Sequence, residues 1–119
     1  MPSTEPNVDQ LLALSENELY LLLGREITRE AATPQGAGFL VKRGKEFFSE
    51  EYVSLRAAIC GPDGPRAAVG SVTNTTLAAS IVNAIVGGSH MDVSHLAALY
   101  IAVIVLRTGL NNFCGDDGT

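Results

Sequence analysis

Tryptophan is absent from this chain, and all aromatic residues together make up 6% of it. A core built from it must therefore rest on Leu, Ile, Val and Ala. Charge is scarce too, at 18% against 46% apolar residues, and that balance excludes intrinsic disorder for the body of the chain. Basic residues number 8 against 13 acidic ones, for a net charge of −5. The acidic excess argues against a sequence-independent grip on nucleic acid, which needs Lys and Arg on phosphates. Cysteine occurs only at Cys60 and Cys114. Two distant thiols do not make a disulfide framework, so the expectation is a reduced pair in a cytoplasmic protein. The first residues show no basic segment followed by an apolar run, so no secretory signal is expected. No stretch alternates apolar and polar residues over a useful strand length, which argues against a sheet.

Long hydrophobic runs are also missing. The longest apolar stretch, residues 96–106, would make about 17 Å of helix at 1.5 Å per residue. A bilayer core is about 30 Å thick. A membrane span is therefore not expected in the resting state. A helical hairpin that inserts into a membrane on triggering is the third reading carried forward.

The residues present favour helices. Ser15 with Glu18 three positions on is a capping box, set just before Leu19, Leu22, Leu23 and Ile27 at helical spacing. Thr33 and Pro34 read as a second start, as N-cap and first helical position. Leu40, Phe47, Phe48, Tyr52, Leu55 and Ile59 then repeat at helical steps up to Cys60. Gly36, Gly38 and Gly44 weaken the first half of that helix. Either a neighbouring helix packs close at these glycines or the helix breaks near Gly44; the reading adopted is one long helix with a soft start. Gly61, Pro62, Asp63, Gly64 and Pro65 form the clearest loop. Asn74, Thr75 and Thr76 cluster at a third start, followed by Leu77, Ile81, Ala84 and Ile85 on one side. Asp92 is the expected N-cap of the final helix, and Gly109 its stop. That helix is apolar on every side, so the rest of the chain has to wrap it.

The expected architecture is all-α: a four-helix bundle with helices near 15–31, 34–60, 73–87 and 92–108, the last one central. Residues 1–7 read as a flexible lead-in, 8–114 as one helical domain, and 115–119 as a loose acidic tail.

Candidate chemistry is thin. His90 and His95 with Cys60 and Cys114 have permissive spacing for zinc, but structural zinc recruits paired nearby cysteines. No metal or cofactor is expected. Both cysteines sit at predicted helix ends and read as buried small hydrophobes. The carboxylate pairs Glu50 with Glu51, Glu26 with Glu30, and Asp116 with Asp117 fall on polar faces or in the tail, so they read as solvated surface. Lys42, Arg43 and Lys45 are opposed by Glu46, Glu50 and Glu51. Gly88, Ser89, His90 and Met91 match the tetrapeptide that cleavage of an affinity tag leaves behind. They read equally well as a natural loop. No catalytic residue is singled out.

What exceeds a four-helix stripe pattern is apolar: Tyr20, Leu21, Val82, Val86 and Tyr100. These are the candidates for an interaction surface. The expected function is a non-enzymatic helical module, adaptor, regulatory or toxin-neutralising, that buries this surplus against a protein partner or a second copy. The rival is a small enzyme or ligand-binding bundle using His95 or Tyr100 with a facing carboxylate.

Overall fold

The computed structural model describes residues 8–28, 36–60, 73–88 and 93–114. Among them helices are the only regular elements, in the order α1 (Val8–Leu12), α2 (Glu16–Ile27), α3 (Ala37–Glu50), α4 (Tyr52–Ile59), α5 (Asn74–Gly88), α6 (His95–Thr108) and α7 (Leu110–Cys114). The all-α class agrees with the sequence, but among the described residues seven helices stand where four main ones were expected. The expected lead-in, the Thr33–Pro34 start, the 61–65 loop, the stretch 89–92 and the acidic tail lie outside the described residues.

α6 is the rod the others surround. Ala97, Ala98, Tyr100, Ile101, Ala102, Val103, Ile104 and Val105 are all buried, and α1, α2, α5 and α7 pack against it. A helix without a polar face has no side to turn to water, so burial on all sides is its stable arrangement. Its N-cap is Ser94, whose hydroxyl oxygen accepts from the Ala97 N–H at 3.0 Å. The expected cap, Asp92, lies outside the described residues. At the other end Gly109 takes φ +96°, and its N–H reaches the carbonyls of Val105 and Leu106 at 2.9 and 3.1 Å. The positive φ suits glycine and turns the chain into α7.

α2 starts as its sequence dictates. Ser15 Oγ accepts from the Glu18 N–H at 3.1 Å, and Glu18 Oε1 accepts from the Ser15 N–H at 2.9 Å. Its inner stripe, Leu19 and Leu23, is fully buried. α5 is capped by Thr73, whose hydroxyl accepts from the Thr76 N–H at 3.2 Å. Leu77, Ala78, Ile81, Val82 and Ile85 carry α5 into the core. Arg107, in the last turn of α6, donates to the Leu12 carbonyl at 2.9 Å and so holds the end of α1.

The long helix expected over 34–60 is bent at Glu51, where φ −96° and ψ 8° leave helical values. Hydrogen bonding runs on through the bend, from the Glu51 N–H to the Phe47 carbonyl at 3.0 Å and from the Leu55 N–H to the Glu51 carbonyl at 2.8 Å. α3 lies on α2, whereas α4 lies on α5 and α7. A straight rod could not reach both layers.

Gly44 is not a weak point but a contact. A Cβ at Gly44 would fall 2.1 Å from the Tyr20 carbonyl oxygen, and one at Gly24 would fall 1.9 Å from the Leu40 carbonyl oxygen. The two helices run antiparallel and meet backbone to backbone at this reciprocal pair. Gly36 and Gly38 face open space.

Candidate functional site

Two places gather polar and aromatic side chains. The larger joins four helices. Phe48 of α3 is its hub, with ring centroids 6.0 Å from Tyr20 of α2, 6.3 Å from Tyr52 of α4 and 5.9 Å from Phe113 of α7. Tyr52 and Phe113 close the group at 5.2 Å with their planes at 68°. Steep interplanar angles set the positive edge of one ring on the negative face of another, worth about 0.5–1.5 kcal/mol per pair beyond area burial. Two cations flank the rings: Lys45 Nζ lies 5.8 Å from the Tyr20 centroid, and Arg56 Cζ 5.8 Å from that of Tyr52.

Tyr52 and Arg56 of α4 and Cys60, the residue that caps it, recur every four residues and so share one face. All three reach the end of α7. The Tyr52 hydroxyl donates to the Phe113 carbonyl at 3.1 Å, and the Arg56 guanidinium donates to the Cys114 carbonyl. Cys60 is bonded to Cys114, with Cα atoms 5.6 Å apart and a sequence separation of 54. The expectation of two reduced, independent thiols is corrected here. The long separation hid the pair: Cys60 follows α4 and Cys114 ends α7, at places with no local signal of pairing, and only the packing of α7 on α4 brings them together. The paired sulfurs also cannot serve as zinc thiolates. No cluster able to hold a metal ion occurs among the described residues.

The energetics of this clamp are nearly balanced without the covalent bond. Burying Leu110 and Phe113 contributes about 2–3 kcal/mol each, and the two hydrogen bonds to the carbonyls about 1 kcal/mol each. Against this, ordering the five backbone units of α7 costs about 1–2 kcal/mol per residue. The two sums meet within a few kcal/mol. In the chain-entropy account, a cross-link over a separation of 54 residues adds about 4 kcal/mol against unfolding of the whole domain.

The second place is the start of α6. The Ser94 hydroxyl donates to Glu26 Oε1 of α2 at 3.3 Å. Burial pushes the Tyr100 phenol above its ordinary pKa; Glu26 adds to the rise and Arg25 opposes it. His95, the first residue of α6, is exposed.

The candidates from sequence are scattered. Tyr20 belongs to the aromatic group and is half-buried, and Leu21 is half-buried beside it in the chain. Burial raises the Tyr20 phenol too, with Glu16 adding to the effect. Val86 is exposed. Val82 and Tyr100 are not surface residues, at 3% and 6% exposure; they pack into the core formed with α6. The apolar surplus of 100–105 is likewise buried within the subunit. Sequence reasoning missed Val53, which stands 80% exposed beside Tyr52, and the grouping of Phe48, Tyr52 and Phe113. The four-residue spacing of Tyr52, Arg56 and Cys60 was the available sign of the clamp.

The basic cluster is partly engaged, since Arg43 pairs with Glu50 at 3.8 Å and Lys45 sits over Tyr20. No helix of the described residues is long and apolar enough to cross a membrane. Compared with known protein families, characterised proteins and solved structures, the chain matches none.

Proposed function

We propose that this chain is a non-enzymatic helical interaction module, adaptor, regulatory or toxin-neutralising, that docks a protein partner or a second copy through its aromatic face. The observation that carries the reading is the make-up of that face. Half-buried Tyr20 and Phe48 and the 36% exposed Tyr52 lie on three helices, with Lys45 and Arg56 over the rings, and Val53, next to Tyr52 in the chain, is 80% exposed. Tyrosine, phenylalanine and arginine in a rigid helical setting are the residue types that dominate binding energy at protein interfaces. Rigid rings lose little entropy on docking.

The test is the mass of the native assembly taken from its source cell. The expected result is a mass above the 12.5 kDa of one chain, falling to that of one chain on Val53→Asp. Val53 is exposed, so the substitution leaves the fold intact. A parent protein that is a single free chain at every concentration would refute the reading.

The compartment follows from the sulfurs. A cytoplasmic setting rests on reduced thiols, whereas the Cys60–Cys114 bond favours oxidising surroundings for the closed form. A second reading, ligand binding at the start of α6, is favoured by one observation: Glu26 faces Ser94 and lies within electrostatic reach of Tyr100. It predicts a ligand whose affinity drops on Tyr100→Phe, which keeps the ring and removes the hydroxyl.

A further inference from the structure

We infer that α7 is a thiol-released strap: reduction of Cys60–Cys114 frees it from α4 and uncovers the part of the aromatic face that Phe113 occupies. The bond joins the last residue of α7 to the residue following α4. It therefore holds α7, the last helix among the described residues, against the end of α4. Three features fit a releasable strap better than a general staple.

The strap is short, at five residues, and a helix of that length does not persist in water on its own. Its noncovalent hold, the burial of Leu110 and Phe113 together with two hydrogen bonds, is nearly offset by the cost of ordering it. Tyr52 and Arg56 supply hydrogen bonds to the two last carbonyls, and Arg56 Nε is buried without a hydrogen-bond partner. Its seat is already a formed surface, because Phe48 and Tyr52 belong to α3 and α4, and Tyr20 meets Phe48 independently of α7. Lifting α7 removes the Phe113 ring from Phe48 and Tyr52 and leaves that pair in place. Gly109, with its positive φ, is a ready hinge between the strap and α6.

The chemistry is thiol–disulfide exchange with a dithiol reductant. Cys60 is half-buried, while Cys114 is 2% exposed, so the sulfur of Cys60 is the reachable end. A thiolate of the reductant attacks it and forms a mixed disulfide, and the Cys114 sulfur leaves as a thiolate and takes up a proton. The second thiol of the reductant then attacks its own mixed-disulfide sulfur. Cys60 leaves and is protonated in turn. The protein has gained two electrons and two protons, and the dithiol has become a cyclic disulfide.

Control of partner binding by this strap rests on the proposed function, but the release itself does not. The test uses the full chain, oxidised or treated with dithiothreitol, with thiol formation confirmed by mass. Amide hydrogen exchange is read at Phe113, whose N–H donates to the Gly109 carbonyl at 2.8 Å, and at residues 101–105 of α6. The expected result is Phe113 exchange faster by about tenfold or more on reduction, as for a locally opening unit, with residues 101–105 unchanged. The doubly substituted Cys60→Ser, Cys114→Ser chain should show the reduced pattern and ignore dithiothreitol. Unchanged exchange at Phe113 overturns the inference, since Tyr52 and Arg56 would then suffice. Equal loss of protection across 101–105 also overturns it, because the bond would then be a staple of the whole domain. If the aromatic face binds nothing, the amide pattern is unaffected, so the two ideas fail separately.

Discussion

Replacing Gly44 with alanine puts local preference and tertiary packing in direct opposition. In an isolated helix the change is favourable, by about 1 kcal/mol, because alanine loses less backbone entropy than glycine. In the folded chain the new methyl carbon would lie 2.1 Å from the Tyr20 carbonyl oxygen and 3.2 Å from the Gly24 nitrogen. Neither is the far end of a flexible side chain. Relief requires α2 and α3 to move apart by roughly 1 Å, and a gap of that size forfeits a quarter to a half of each dispersion contact along the crossing. Overpacking of a rigid interior costs about 1–3 kcal/mol, and a backbone clash belongs at the upper end. The net expectation is a destabilisation of about 2 kcal/mol, which lowers the melting temperature by roughly 10 °C for a domain of this size. The measurement is thermal unfolding by far-ultraviolet circular dichroism on the oxidised chain. Gly38→Ala is the control: it lies in the same helix with nothing within 4 Å of its Cβ, so it should be neutral or slightly stabilising. Gly24→Ala combined with Gly44→Ala should cost less than the sum of the two, since one separation of the helices relieves both clashes. A Gly44→Ala protein that melts at or above its parent would refute the close crossing.

Two further outcomes follow from single residues. Gly109→Ala should destabilise by about 1–3 kcal/mol, the cost of a side chain in sparsely populated positive-φ backbone, given φ +96° and ψ 128°; the loss is read by chemical denaturation, and an unchanged midpoint would refute it. The raised phenols of Tyr20 and Tyr100 fix the alkaline limb. A group with a folded pKa above its unfolded value of about 10.0 contributes stability that is intact below that value and lost as pH rises through the folded pKa. Stability should therefore be flat with respect to these groups near neutrality and decline above roughly pH 10. Tyr20→Phe should blunt that decline in a urea-melt series, and an unchanged alkaline limb would contradict the shift.

Much of the helix placement was legible because its signals act within a few residues. The Ser15–Glu18 box, the threonine-rich start of α5 and the glycine stop at Gly109 are local hydrogen-bonding and backbone problems with local solutions. The bend at Glu51 was not legible, since its neighbours carry no helix breaker and the cause lies in the separate partners of α3 and α4. The aromatic site was half visible: Tyr20 stood out as off the main stripe, but Phe48 and Tyr52 read as an ordinary inner face of one helix. Val82 and Tyr100 were assigned outward because a four-helix stripe left them over, and the wrapping of α6 on every side used them inward.

Composition and periodicity by themselves determined that this chain is helical and that residues 96–106 must be surrounded, because a rod with no polar face leaves no other stable choice. The pairing of Cys60 with Cys114, the Gly24–Gly44 crossing and the seat of Phe113 were decided only by the tertiary structure. Each joins segments whose distance in sequence says nothing of their distance in space, and each depends on contacts a few ångströms wide that no single helix encodes.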